Sequence, residues 1–184
     1  MTTATDTAIS TWNIDTAHSN AQFKVKHMMI SNVKGEFTSV KGSLQLNEAD
    51  ITKSSVEATI DATTINTREP QRDTHLKSPD FFDVEKFPEL TFKSTGIAKS
   101  GEAELAVEGD LTIHGVTRKV TFEVEGPSVA TKDPWGNLRI GLEATTKINR
   151  KDFGLVWNGV LETGGILVGE EVTITLDVEF VKQA

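Results

Sequence analysis

The 184-residue sequence contains no cysteine. Disulfide bonds, a thiolate nucleophile and a cysteine-ligated metal are therefore excluded. No stretch approaches 18 consecutive apolar residues, which excludes an ordinary transmembrane helix. Residues 1–11 have neither the basic region nor the apolar core of a secretory signal peptide, so we expect a cytoplasmic location.

Positive charge is scarce relative to negative charge. The sequence has 19 Lys and Arg against 27 Asp and Glu, a formal net charge of -8. Affinity for nucleic acid depends on basic side chains that release counterions from phosphates, so we predict no nucleic-acid partner. An acidic surface also resists adhesion to an anionic membrane, so any membrane contact is expected to be transient.

Motifs of catalysis and cofactor binding are missing as well. There is no GxSxG elbow, HExxH helix, P-loop or GxGxxG, and no histidine and carboxylate pair has convincing metal-ligand spacing. We therefore predict no catalytic residue, no metal and no cofactor. Four histidines are present, and they leave open the alternative that His18, His27 or His75 acts as a general base.

What the sequence does contain is alternation of apolar and polar residues. A period of two is typical of β-strands with one buried face. It is seen in residues 23–29, 56–62, 105–113, 138–148 and 172–180. Turns are expected at His114-Gly115, at residues 133–137 and at Gly169-Glu170, where glycine can supply a positive φ. The pattern predicts an all-β chain with up-and-down antiparallel strands, in one domain of residues 12–184 after a flexible tail of residues 1–11.

Residues 69–87 interrupt this alternation. Two prolines and several turn formers predict a short helical segment near residues 70–80. Because Phe81, Phe82 and Phe87 cannot all lie in water, we expect the segment to pack across one barrel end, as a lid, or along the side. The alternation also changes phase between Phe37 and Val40, and again between Ala62 and Ile65, which predicts a bulge or a bend at both places.

The predicted strands are long enough for a tall barrel. Residues 137–149 span about 43 Å at roughly 3.3 Å per residue, and a tilt of about 40° leaves a height near 33 Å. A tall apolar interior suits an isoprenoid or unbranched chain, since each buried CH₂ contributes about 0.8 kcal/mol. Alternation alone, however, favours a solid β-core over a hollow barrel.

Five sequence blocks, in this order and spacing, resemble the YceI-like family of lipocalin-like, polyisoprenoid-binding bacterial proteins. The blocks are WNIDTAHS (12–19), FKVKHMMISNVKGEF (23–37), RDTHLKSPDFFDVEKFPELTF (72–92), GDLTIHGVTRKV (109–120) and INRKDFGLVW (148–157). The resemblance implies an extended antiparallel eight-stranded lipocalin-like barrel with a helical segment and an elongated apolar pocket. It also implies binding of a polyisoprenoid or another long-chain amphiphile, and a homodimer.

Two arguments together suggest the residues that bind the ligand: which positions of each alternating strand face inward, and the general architecture of the family. Those expected to line the pocket are Phe23, Val25, His27, Met29, Phe37, Ile60, Phe92, Leu142, Ala144 and Trp157, while Phe81 and Phe82 are expected to close its mouth. The leading hypothesis is storage or transport of a quinone or a prenyl pyrophosphate. The alternatives are an enzyme acting on a prenyl lipid and a protein-interaction module with a solid barrel core.

One polar cluster, Arg72, Asp73 and His75, lies in the predicted helix, and Arg150 lies in the block NRKDFG. A capping or ion-pair role and the binding of an anionic head group both stay open for these side chains.

Overall fold

The computed structural model describes residues 9–184. Its strands are β1 Ile9–Ile14, β2 Asn20–His27, β3 Ser31–Phe37, β4 Val40–Asn47, β5 Ser55–Asp61, β6 Ile65–Asn66, β7 Glu89–Lys99, β8 Glu104–Ile113, β9 Val116–Glu125, β10 Thr131–Lys132, β11 Leu138–Asn149 and β12 Val168–Lys182. One α-helix occurs in this range, α1 Pro70–Lys77. No helix in the described residues has the length and apolarity needed to span a membrane.

The strands close into a barrel. Antiparallel pairs join β4 to β5, β5 to β7, β7 to β8, β8 to β9, β9 to β11 and β11 to β12. The circle is completed where β12 pairs with β1 and β1 pairs with β4. The predicted eight-stranded antiparallel barrel with up-and-down connections is therefore confirmed.

Three of the eight barrel strands are bent and appear as two segments each. β1 and β2 form one bent strand around the turn Thr16–His18, and β3 and β4 form the next. Phe37, before the second bend, and Val40, after it, are both buried. β5 and β6 bend around the turn Ala62–Thr64. The second and third bends fall where the alternation of the sequence changes phase, so the bend predicted as one alternative at each place is confirmed.

The first strand begins earlier than expected. Ile9 pairs with Asn47 and Thr11 with Gln45 in the β1–β4 ladder, and Thr11 Oγ1 donates to Gln45 Oε1 at 2.9 Å. The predicted end of the tail at residue 11 is wrong because ladder hydrogen bonds involve the backbone and do not require apolar side chains. The rest of the predicted tail, residues 1–8, lies outside the described residues.

Two of the three predicted turns are confirmed. His114 and Gly115 have φ of 55° and 71°, and Asp133 N donates to Asn137 O across the second turn. The turn predicted at Gly169-Glu170 is wrong, because both residues lie inside β12. A Cβ at Gly169 would approach the Lys26 side chain to 3.1 Å. Glycine is used there for close approach of β12 to β2.

The helix forms where the sequence predicts it. Glu69 caps it by accepting a hydrogen bond from Gln71 N, and Pro70 occupies the first turn, where its missing N–H costs nothing. Leu76 and Phe82 pack against buried residues that include Phe37. Helix α1 therefore covers one end of the barrel, called the α1 end below. The opposite, far end carries the β7–β8 connection and β10.

Candidate functional site

The interior of the barrel contains a cavity of about 370 Å³. This volume lies in the range of small-molecule binding pockets, roughly 300–1,000 Å³. Apolar side chains from every barrel strand line it, among them Phe23, Val40, Ile60, Phe92, Leu111, Phe122, Leu142 and Ile174. The barrel is therefore hollow, which distinguishes it from a solid β-core.

The alternation of the strands shapes this cavity. On β12 the lining positions Val172, Ile174, Leu176, Val178 and Phe180 follow a strict period of two. From the first to the last of them the strand extends about 26 Å, or about 20 Å of barrel height at a tilt of about 40°. A modest volume over such a length makes the cavity long and narrow.

All but one of the residues expected to bind the ligand line this cavity. They are Phe23, Val25, His27, Phe37, Ile60, Phe81, Phe82, Phe92, Leu142, Ala144 and Trp157. Ala144 is almost completely buried near the middle of β11. Its small side chain leaves room that a larger residue would fill.

The prediction for Met29 is wrong. β2 ends at His27, and Met28 and Met29 form a turn with φ of 52° and 59°. The left-handed backbone of this turn interrupts the alternation of β2, because a period of two holds only in extended chain. Met29 is 59% exposed and does not line the cavity.

Sequence reasoning missed the lining of the far end. Ile97, Leu105, Val124 and Pro127 lie there. The alternation of β8 and β9 already marked Leu105 and Val124 as inward positions, so that part of the signal was present. Pro127 follows β9 and belongs to no alternating run.

Aromatic side chains surround the α1 end of the cavity. The ring of Trp157 packs edge-on against His75, with ring centroids 4.7 Å apart, and lies 5.3 Å from Phe81. Phe82 packs edge-on against Phe37 at 5.6 Å. Phe81 and Phe82 thus lie at the α1 end, where the sequence-based hypothesis has them close the mouth.

Arg150 is buried at the same end, with 3% of its surface exposed. Its Nε donates to Gly169 O at 2.7 Å. Nη1 donates to Leu155 O and Trp157 O, and Nη2 donates to Val168 O. Burial lowers the pKa of its guanidinium. Arg150 therefore holds the segment after β11 against the start of β12.

Thr67 forms hydrogen bonds with two members of the polar cluster of α1, Arg72 and Asp73. Arg72 Nε donates to Thr67 Oγ1, and Nη2 donates to Thr67 O, both at 2.8 Å. Asp73 accepts from Thr67 N and from Thr67 Oγ1. His75 Nε2 lies 2.8 Å from Asp80 Oδ2. Asp73 therefore anchors the start of α1, whereas Arg72 and His75 line the cavity.

A second polar cluster lies outside the cavity. Arg139 Nη1 donates to Asp15 Oδ2 and Glu179 Oε1, each at 2.6 Å, and Nε donates to Asp133 Oδ2 at 2.7 Å. The Arg139 bond, followed by the bond to His18, lowers the pKa of Asp15 to about 2. Asp15, His18 and Glu179 are close enough to share a cation, but the guanidinium of Arg139 already occupies both carboxylates.

Comparison with known proteins places this fold among relatives. A family model described as a YceI-like domain matches residues 12–180. A UPF0312 protein of Staphylococcus aureus (strain MSSA476) is 37% identical over 172 residues, which cover 94% of this chain and 98% of that protein. The crystal structure of a Campylobacter jejuni YCEI protein is 28% identical, with a TM-score of 0.73 over 88% of this chain and 91% of that one.

Two more distant structures share the fold. BcnA of Burkholderia cenocepacia is 23% identical with a TM-score of 0.77, over 90% of this chain and 98% of that one. A domain from Saccharophagus degradans, described as polyisoprenoid binding, is 15% identical with a TM-score of 0.68, over 96% of this chain and all of that one. At these identities the likeness shows the barrel alone.

Proposed function

Because the chain belongs to the YceI-like family, we propose that it stores or transports a long apolar lipid of the polyisoprenoid type inside its barrel. Family membership and barrel fold support lipid binding in general. The observation that carries the proposal is the long, narrow cavity of about 370 Å³ with almost wholly apolar walls.

The physical argument rests on burial of hydrocarbon. Each CH₂ transferred from water into such a cavity contributes about 0.8 kcal/mol, so affinity grows with the length of chain that fits. A narrow channel excludes compact metabolites and accepts a linear chain. The Saccharophagus degradans domain, whose description names polyisoprenoid binding, shares this barrel.

Binding without chemical change is the form of the function that we propose. Two histidines, His27 and His75, line the cavity, and they are the groups that an enzyme acting on a prenyl lipid would use. His18 is bonded to Asp15 outside the cavity. Incubation with a prenyl lipid, followed by mass analysis of the extract, separates the two functions. Conversion abolished by a single His→Ala change would establish the enzyme instead.

The test of the binding function uses protein purified from its own cells. Native mass spectrometry measures the bound mass, and solvent extraction then identifies the compound. We expect one long-chain lipid per barrel. Protein that is empty, and that stays empty when offered farnesol, farnesyl pyrophosphate, a quinone or a fatty acid, would contradict the proposal and favour the interaction module.

We further propose that the turn Met28–Ile30 contacts a membrane transiently during loading or release. Ile30 is 78% exposed and Met29 is 59% exposed. Met28 N donates to O of the cavity-lining residue Leu167 at 2.8 Å, so this apolar turn adjoins the α1 end. A lipid that leaves an apolar cavity requires an apolar phase to enter, which a bilayer provides.

Transfer of a bound prenyl lipid to phosphatidylcholine vesicles tests this contact. We expect Ile30→Asp to slow transfer, whereas Val129→Asp, at a site 87% exposed near the far end, should leave the rate unchanged. Equal rates for both variants would contradict membrane contact. If Ile30→Asp instead changes the molecular mass in solution, the turn belongs to the expected homodimer interface.

The cytoplasmic location stays a prediction, to be tested by cell fractionation.

A further inference from the structure

The ionisable side chains that line the cavity are all basic. The protein as a whole carries a formal charge of -8, yet within residues 9–184 no Asp or Glu lines the cavity. The ionisable lining residues are Lys26, His27, Arg72, His75 and Arg150. Lys26 is exposed and alternates outward relative to His27, which leaves four nitrogen-bearing side chains in the lining of the interior. Of these, His75 is bonded through Nε2 to Asp80 Oδ2 at the outer edge of the α1 end.

These four side chains lie together. The ring of His75 contacts Trp157, whose carbonyl accepts from Arg150. Arg150 also donates to Val168 O, and Val168 pairs with His27 across the β12–β2 ladder. Arg72 precedes His75 by one helical turn on the same face of α1. The basic groups therefore surround the α1 end, and no ionisable residue among those described lines the far end.

The guanidinium of Arg150 is buried without a counter-ion. All four of its hydrogen bonds go to carbonyl oxygens, and no carboxylate bonds to it among the described residues. Glu170, whose charge acts on Arg150, is instead bonded to Lys151 at 2.6 Å. Burial of an unpaired charge is costly unless another charge compensates it. A negative group in the cavity would supply that compensation.

Arg72 retains donors for such a group. Its Nε and Nη2 are used by Thr67, whereas Nη1 has no hydrogen-bond partner in the part of the chain that the structure describes. The two bonds to Thr67 fix the guanidinium plane, so Nη1 is oriented before any ligand arrives. Arginine is well suited to phosphate and carboxylate oxygens, because its donors form a planar fork.

The geometry points to a subsite for an anionic head group at the α1 end, formed by Arg72, Arg150, His75 and His27. This inference rests on the proposed lipid-binding function and narrows its cargo. The lipid is acidic, with a phosphate or carboxylate head, and its chain extends toward Leu105 and Val124. A neutral quinone or prenyl alcohol lacks the charge that this end accommodates.

Binding of matched pairs of compounds to the delipidated protein tests the subsite. Farnesyl pyrophosphate and farnesol share one chain, and dodecanoate and dodecanol share another. We expect the acidic member of at least one pair to bind about tenfold more tightly or better, as charge-assisted hydrogen bonds predict. Preference in the first pair alone assigns the subsite to phosphates, and preference in the second alone assigns it to carboxylates.

Substitution of Arg72 tests whether this side chain causes the preference for acidic over neutral compounds. Arg72→Gln should lower affinity for the preferred acidic compound about tenfold and leave that for its neutral partner unchanged, whereas Arg72→Lys should restore much of the loss. Arg118→Gln, at an exposed arginine that does not line the cavity, is the matched control. Unchanged affinity for the neutral compound shows that the variant barrel is folded.

Two results would overturn the inference. One is equal affinity for the acidic and neutral members of both pairs, and the other is a loss on Arg72→Gln that is equal for acidic and neutral compounds. Failure of all four compounds to bind the wild-type protein would instead contradict the proposed lipid-binding function itself. The two failures are therefore distinguishable in one set of titrations.

Discussion

Arg139 Nη1 and Asp15 Oδ2 lie 2.6 Å apart, although 124 positions separate the two residues in the sequence. The bond joins β11 to the turn that follows β1. We predict that Asp15→Asn lowers the free energy of unfolding at pH 7 by about 1 kcal/mol, since it weakens a charge-assisted bond that is largely shielded from water. Urea denaturation measures this loss.

The same bond predicts a pH dependence. The pKa of Asp15 is lowered from 3.8 to about 2 in the folded protein, so the unfolded state binds more protons between these values. The stabilisation is therefore complete above about pH 4 and lost as the pH falls toward 2. Wild type and Asp15→Asn should differ less in urea midpoint at pH 3 than at pH 7. A difference that stays constant would contradict the assignment.

Ala144 offers a way to close the cavity. It lies at the middle of β11 and lines the interior, so Ala144→Trp places a large ring in the path of a chain. We predict loss of co-purifying lipid, measured by native mass spectrometry, in a barrel that still folds. Thr145→Trp on the alternate parity of the same strand is the control. Undiminished lipid in Ala144→Trp would show that the chain does not pass this point.

Substitution of Arg150 tests how much its hydrogen bonds to buried carbonyl groups contribute to stability. Arg150→Met removes the donors for the carbonyls of Leu155, Trp157, Val168 and Gly169. Unpaired buried carbonyls are costly, so we predict a loss of about 3 kcal/mol or more in the free energy of unfolding. Arg118→Met should cost little by comparison. Equal urea midpoints for both variants would mean that the four carbonyls find other partners.

Trp157 should report whether the cavity is occupied. It lines the α1 end between His75 and Phe81, whereas Trp135 is 81% exposed elsewhere. We predict that ligand changes the tryptophan emission of the wild type and that Trp157→Phe removes most of this change. Trp135→Phe should keep it. A ligand response that survives Trp157→Phe would place the bound compound away from the α1 end.

Much of the barrel could be predicted because one physical signal dominates it. Strand alternation identified inward positions such as Phe23, Leu142 and Leu105 correctly. It failed at Met29, where the chain leaves the extended conformation. The glycine turn signal failed at Gly169, since glycine is used both in turns and where two strands approach closely, and composition alone does not distinguish these uses.

The polar groups were harder to predict because their partners are distant in sequence. Arg139 joins Asp15 and Glu179, 124 and 40 residues away, and alternation contains no information on such pairs. The four carbonyl partners of Arg150 depend on where residues 155–169 cross the barrel end. By contrast, the capping of α1 by Glu69 is local, and the helix was predicted at its correct place.

The pairing of β12 has a consequence for biosynthesis. One edge of β12 pairs with β11, and the other edge pairs with β1 and β2. Without this strand the sheet cannot close, and its first and last strands would have unpaired edges, the kind of edge on which aggregation begins. The barrel therefore cannot close before residues 168–182 have left the ribosome, and we expect any bound lipid to be acquired after synthesis rather than during it.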